Sequence, residues 1–476
     1  MLKPNINYLI HIVMKKTFIF AFIAISVVLI LTGCHKKHFV VGKSSNDEWG
    51  MVTGSGTYYD GEIAILTAIP TEGYYFLGWD DGDTTNPRSL IVNNDATFTA
   101  LFGDTPFGIF DGEPIQISGN ICNDQIWQDL GLDVDYIIDG TVYIGCDATV
   151  KVMPGVTIMF TGPEGNLEVI DNGALTMIGT MEKRIVLRGP DVKSLIGYWG
   201  HVVVNTTRPE NKFEWVNIIH AGSNSDLHYG ALKLRGTLSM TDCTIDGSRG
   251  AGLVTESGSY FTQLKDNKII HCQGYPWVSS SFPALYKNIG SNSLYDFDEP
   301  YGKIYIDLDH YEINNDVTLK TYRLYFPHGF SFEGTGTLTF NGANSYVGEG
   351  QQLRVGKNLN FRVYSTFFAG LSTPARWNGL IFESERSNNL LNDVWFINCG
   401  GFCLKVTENA KLSITSSKLG PCVGGAGIWI ENIETWGNVF HSNIENFSCP
   451  HIAHIEHGGT YNGQTYQDNT NLNYLP

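Results

Sequence analysis

Three short stretches of the chain carry the residue types that metal binding or acid–base catalysis needs. Asp307-Leu308-Asp309-His310 puts two carboxylates and an imidazole side by side in the chain. On one strand Asp307 and Asp309 would point the same way, as calcium ligands or an acid–base pair would have to. The commoner role of such a cluster is a solvated turn, here between two halves of the chain. His451, His454 and His457, with Glu456, offer metal-type ligands at every third position. On a strand that spacing alternates faces, so the rings converge only if the segment turns. Asp80, Asp81 and Asp83 gather hard oxygen ligands around Gly82 but lack the loop spacing and distal Glu of an EF-hand. A solvated turn is favoured there too. The expectation is no resident cofactor, with calcium the ion these oxygen groups would take.

Beyond Cys34 there are eight cysteines: Cys122, Cys146, Cys243, Cys272, Cys399, Cys403, Cys422 and Cys449. Disulfides and stacked buried thiols fit their spacing equally, because Cys also behaves as a small hydrophobe. Buried thiols are favoured. No Cys-x-x-Cys pair exists, so neither structural zinc nor thioredoxin-like chemistry has sequence support. Trp277, Trp377, Trp429 and Trp436 could stack on sugars or simply fill a core. His220, Asn217 and Asn398 read as turn or ladder residues that satisfy backbone groups.

The elements that must position these residues are strands. Of 476 residues 17% are charged and 12% aromatic, with 53 glycines, a composition of short strands and tight turns. The formal charge of −17 argues against a nucleic-acid partner. Apolar pairs recur at alternate positions: Val150/Val152, Ile158/Phe160, Leu167/Val169, Leu175/Met177, Ile185/Leu187 and Val202/Val204. Three such strands per turn sum to about 25 residues, the period of a parallel β-helix. Passages around Trp199, Trp215 and Gly250 are answered, in the same order and at a nearly constant offset, by those around Trp377, Val394 and Gly425. Two related halves of one solenoid, about 135–300 and 301–460, explain this.

Ile117 to Ile121, Gly140 to Ile144 and Val152 to Phe160 resemble the start of right-handed parallel β-helix proteins of the pectin-lyase-like class, over roughly residues 117–460. That resemblance implies the fold but not an activity. Hydrolases of the class carry Asn-Thr-Asp, Asp-Asp and Arg-x-Lys motifs; here Asn205-Thr206-Thr207 is the nearest match to the first, Asp80-Asp81 lies outside the solenoid, and Arg-x-Lys is absent. Lyases of the class use calcium-binding acids with an Arg or Lys base. Gly73-Tyr74-Tyr75-Phe76-Leu77-Gly78-Trp79 followed by Ala96 to Phe102 resembles the internalin B-repeat, a small β-grasp-like module of surface proteins, which implies a spacer or contact role. Phe18 to Leu31, after Met14-Lys15-Lys16 and before Leu31-Thr32-Gly33-Cys34, resembles a lipoprotein signal peptide with its lipobox. The resemblance implies cleavage before Cys34 and lipid attachment to it.

The expected organisation is a signal peptide (1–33), a tether (34–49), the internalin B-repeat-like module (50–103), a linker and N-terminal cap (104–134), the β-helix (135–460) and a polar tail (461–476). The expected class is an all-β chain: a right-handed parallel β-helix solenoid behind a small β-grasp-like module. The expected function is a non-catalytic lipoprotein, membrane-anchored through Cys34 at the cell surface or periplasmic face of a bacterial outer membrane. It would present a binding or adhesive surface to a glycan or surface protein. The alternative is a polysaccharide lyase or glycoside hydrolase.

Overall fold

The computed structural model describes residues 36–476 except 73, 82, 84, 104–112, 191–194, 288–291, 295–301, 321, 372–375 and 424, and excludes the side chains of 293 and 294. The expected signal peptide and Cys34 lie outside the described residues. The chain divides into two compact units, before and after residue 110.

In the first unit Lys37–Ser44 pairs parallel with Ala96–Gly103 and antiparallel with Gly56–Tyr59, and Tyr75–Trp79 closes the sheet on Ala96–Gly103. A second sheet joins Gly50–Thr53, Ile63–Pro70 and Arg88–Ile91. Val40, Ala64, Leu66, Trp79 and Phe102 form the core between them. Residues 37–44, expected as part of a tether, are thus a strand. Its alternation is His38-Phe39-Val40, with a histidine rather than an apolar side chain on the inner face, and that hid it.

The second unit is a parallel β-helix of about 13 turns. Each full turn lays down one strand on each of three faces, called A, B and C in chain order. In one early turn these are Thr157–Phe160, Asn166–Val169 and Ala174–Ile178. All six apolar pairs read from the sequence point inward and are buried, because strand alternation sends every second side chain to the lumen. The helix begins earlier than expected. Ile115–Ile121 and Gln125–Trp127 already pair in register with the next turn, so the expected N-terminal cap is a rung of the solenoid. Trp127 closes that end, stacked on Tyr136 with ring centroids 5.4 Å apart.

Face B runs unbroken from Gly119–Ile121 to Glu445–Asn446. Face C is interrupted, since the 3-10 turn Pro283–Leu285 takes the place of one strand and Phe282 stacks on Tyr311 at 4.7 Å. Face C resumes with His310–Glu312. The residues expected as a polar tail are folded: Gly459–Tyr461 and Gln464–Tyr466 form a hairpin, and Thr470–Leu472 pairs antiparallel with His451–His457. That antiparallel strand covers the last open edge of face C.

The two halves repeat in detail, but turned by one face. Trp199 leads into the face-B strand Val202–Val204, whereas Trp377 leads into the face-C strand Leu380–Phe382. Left-handed residues mark the same corners in both halves, Trp215 (φ 55°) with Asp393 (φ 56°) and His220 (φ 59°) with Asn398 (φ 57°). One such residue bends the chain from one face to the next within a single position, at a cost of about 1–2 kcal/mol that stacked neighbours must offset.

Candidate binding face

The three sequence candidates are not brought together. The strand Ile304–Ile306 ends before Asp307, so Asp307 and Asp309 do not share a strand. Asp307 accepts a hydrogen bond from Ser280 (3.0 Å) and lies 3.7 Å from His228 Nε2. Asp309 pairs with its neighbour His310 at 2.6 Å in full exposure, and that contact holds its carboxyl below the ordinary range. His451–His457 is a strand, and His454 points outward between the inward residues Ala453 and Ile455. His451 and His454 bond to different partners, Asn473 and Asn471. Asp81 is bound by Arg88 through two hydrogen bonds of 2.6 Å, with Asp83 3.5 Å from the same guanidinium. A cation already occupies the place calcium would take.

Of the four tryptophans considered for sugar stacking, Trp277, Trp377 and Trp436 are buried inside the solenoid. Trp429 is outside on face C, against His454 (4.0 Å between ring centroids), with its Nε1 donating to Glu456 (2.7 Å). Lys405 bridges Glu456 (2.8 Å) and Glu431 (3.5 Å). The Lys405 hydrogen bond, helped by Trp429, holds the Glu456 carboxyl below its ordinary range against a smaller opposing effect of burial. These charges are spent on one another.

The outer surface of face B differs. Tyr305, Tyr325 and Tyr346 occupy one row on successive rungs, Tyr305 opposite Tyr325 and Tyr325 opposite Tyr346. Each sits between two inward side chains, as Ile304-Tyr305-Ile306, Leu324-Tyr325-Phe326 and Ser345-Tyr346-Val347, so alternation forces it out. Tyr275, from the loop before the preceding rung, stands 4.9 Å from Tyr305 and 6.1 Å from Tyr325, and Tyr305 stands 5.7 Å from Tyr325. On the next rung the row ends at Ala369, and Phe367, two positions earlier on that strand, packs diagonally on Tyr346 at 5.3 Å. A satellite apolar cluster of Ala251, Val254 and Val278 packs under Tyr275 and Tyr305, outside the main core, and fixes these rings from behind.

Burial pushes the Tyr305 and Tyr325 hydroxyls up, and for Tyr305 the Asp307 charge adds to it. Like any phenol at neutral pH, both can donate as well as accept a hydrogen bond. Toward the N-terminus the same face turns charged but paired: Glu256 takes Lys233 (2.6 Å) and Arg235 (3.0 Å), and His201 lies 3.4 Å from Glu168. Burial alone would raise the Glu256 carboxyl, but the two cations outweigh it and hold it low. Sequence reading overlooked the tyrosines. Their signal was the apolar-Tyr-apolar triplet around Tyr305, which returns around Tyr325 and, as Ser-Tyr-Val, around Tyr346 at nearly equal intervals.

Compared with curated proteins and with solved structures, the chain has no match. Residues 42–106 are similar to one known family, the divergent InlB B-repeat domain, and the match spans the first unit from within its first strand to just past its last.

Proposed function

We propose that this protein is a non-catalytic envelope protein, held to a membrane through a lipidated Cys34, whose β-helix binds an extended glycan along the tyrosine row of face B. The observation that carries the reading is the set Tyr275, Tyr305 and Tyr325: three half-buried rings in mutual contact on the outer face, the first two backed by the packed apolar cluster. Sugar rings offer apolar faces for stacking and hydroxyls for hydrogen bonding, and an amphipathic ring on a rigid strand meets both needs at small entropic cost. Stacked rungs about 4.8 Å apart present such rings at a regular interval to a polymer. The InlB-like module acts as a spacer or contact element.

The test is retention on immobilised acidic and neutral polysaccharides, with and without calcium, for the wild type and for Tyr305→Ala and Tyr325→Ala. Retention that both substitutions weaken by about tenfold supports the reading, as expected for the loss of roughly 1–1.5 kcal/mol of stacking per ring. Retention indifferent to both substitutions removes it.

One arrangement favours a polysaccharide lyase as second reading. The Tyr305 hydroxyl is 3.4 Å from His328 Nε2, with Asp307 adjacent, a pairing through which a proton could move. Unsaturated uronate released by the wild type but not by Tyr305→Phe would establish that reading in place of the first.

A further inference from the structure

Four of the eight cysteines converge inside the last turns of the solenoid, from three different rungs. Cys399 and Cys422 pair through their backbones on neighbouring rungs, and Cys422 is disulfide-bonded to Cys449 on the next. Cys403 Sγ lies 4.0 Å from Cys449 Sγ, and the sulfurs of Cys403, Cys422 and Cys449 are all within 4.8 Å of one another. Cys399 faces Cys422 across that backbone pairing and supplies the fourth sulfur of the cluster. All four are buried. Gly420 packs directly against the cluster: a Cβ there would collide with the Phe447 carbonyl oxygen and come within 2.9 Å of Cys449 Sγ, so the backbone reaches the sulfurs only because this residue has no side chain. A tetrahedral zinc–thiolate centre with bonds near 2.3 Å needs sulfurs about 3.8 Å apart, close to the Cys403–Cys449 separation.

We infer that Cys399, Cys403, Cys422 and Cys449 form a redox-gated site for one thiophilic divalent cation, of which zinc is the type. With the Cys422–Cys449 disulfide closed, two ligands are consumed. A dithiol reductant delivers two electrons and two protons, breaks the S–S bond, leaves Cys422 and Cys449 as thiols and itself becomes a disulfide. Zinc then takes the four sulfurs as thiolates and releases four protons to solvent. The resulting net charge of −2 would be costly in an apolar lumen without a counter-charge. Arg376 supplies one: its guanidinium hydrogen-bonds the Cys399 carbonyl at 3.4 Å, which places a cation beside the cluster. Entry is shortest beside Cys422 and Cys449, which keep slight exposure (4% and 7%) next to the exposed Val423. This inference is independent of the tyrosine row.

The experiment is anaerobic titration of the full folded protein with Co²⁺, whose thiolate charge-transfer and tetrahedral d–d bands report the ligand set, followed by displacement with Zn²⁺. Thiol-reduced protein is expected to take one ion per chain, and oxidised protein none. Cys403→Ala should bind more than about 100-fold more weakly, whereas Cys243→Ala/Cys272→Ala should bind as the wild type does. The idea is overturned by reduced wild type showing no Co²⁺ bands while its thiols are all titratable, by equal uptake in the oxidised form, or by loss of binding in the Cys243/Cys272 variant. Should Cys403→Ala fail to fold, the reduced-against-oxidised comparison decides alone.

Discussion

Trp199 and Trp377 stand at equivalent places in the two halves and make the same contact: each buried indole donates its Nε1–H to a carbonyl one full turn further along the chain, Ile219 at 2.7 Å and Ile397 at 2.9 Å. The duplicated sequence therefore preserves a hydrogen bond across rungs while the whole pattern moves from one face to the next. The three faces offer similar lumen environments, so a repeat need not return to the face it left. What it must keep is the corner, where an indole fills the angle between two sheets and satisfies a carbonyl.

Replacing either tryptophan by alanine should cost a similar amount, about 3–5 kcal/mol, because each removes a large buried ring and leaves a carbonyl without its partner. Urea unfolding followed by far-ultraviolet circular dichroism measures both. A loss at Trp199 several times that at Trp377 would mean that the corners are not equivalent.

The repeat was legible in the sequence because strand patterning is periodic. The turn by one face was not, since apolar alternation reads the same on all three faces. The first rung reads as a cap because Gly119 and Asn120 interrupt the apolar alternation within Ile115–Ile121. The stacking of Cys399, Cys422 and Cys449 was legible as spacings close to one turn, whereas the approach of Cys403 to Cys449 was not, because the two are 46 residues apart and share no local motif. The acidic clusters, read from sequence chiefly as solvated turns, each gain a partner that sequence spacing does not single out, Arg88 for Asp81 and Ser280 for Asp307.

The Asp81–Arg88 pair should make the small module acid-sensitive. Burial alone would raise the Asp81 carboxyl, but the hydrogen bonds and charge of Arg88 outweigh it, so the folded value lies below 3.8. A lowered carboxylate contributes stability that is complete above the unfolded value and is lost as pH falls through the folded one. Thermal unfolding of the wild type should thus lose stability below about pH 4, and Arg88→Ala should remove that part of the loss. The same scans with millimolar calcium should coincide with those without it; a rise in Tm on adding calcium would show that the ion competes with Arg88.

Alkylation under denaturing, non-reducing conditions should label Cys243, Cys272, Cys399 and Cys403 and spare two bridges, Cys122–Cys146 and Cys422–Cys449. This departs from the expectation that most of the eight are free thiols. The reason is rung geometry: the two bridged pairs bring their Cα atoms to 4.9 and 4.7 Å, inside the range a disulfide needs. Peptide mapping that finds eight alkylated cysteines would restore the thiol reading.

Cys34→Ser should abolish fatty-acid labelling and shift the protein out of the membrane fraction, because the Cys34 thiol is the group in Leu31-Thr32-Gly33-Cys34 that a lipobox diacylates. Labelling that persists in the variant would remove the anchor from the proposed function while leaving the binding face untouched.

The most demanding prediction concerns Asn211 and Asn389, another pair at equivalent places in the two halves. Each is buried and works in both directions. Asn211 Oδ1 accepts from the Leu175 amide (3.1 Å) while its Nδ2 donates to Thr206 Oγ1 (2.8 Å). Asn389 Oδ1 accepts from the Phe361 amide (2.7 Å) while its Nδ2 donates to Ser384 Oγ (2.9 Å) and to the carbonyls of Arg386 and Lys411. A buried amide stripped of its acceptor keeps the full desolvation penalty, so alanine at either position should destabilise the solenoid by about 1–3 kcal/mol per orphaned group. Asn389, with more donor contacts, should cost more than Asn211. Aspartate keeps the acceptor and loses the donor. It should therefore rescue amide protection at Leu175 and Phe361 without rescuing overall stability, which hydrogen exchange and urea unfolding read separately. Equal exchange at those two amides in the alanine and aspartate variants would show that the side chains fill space rather than pair the backbone.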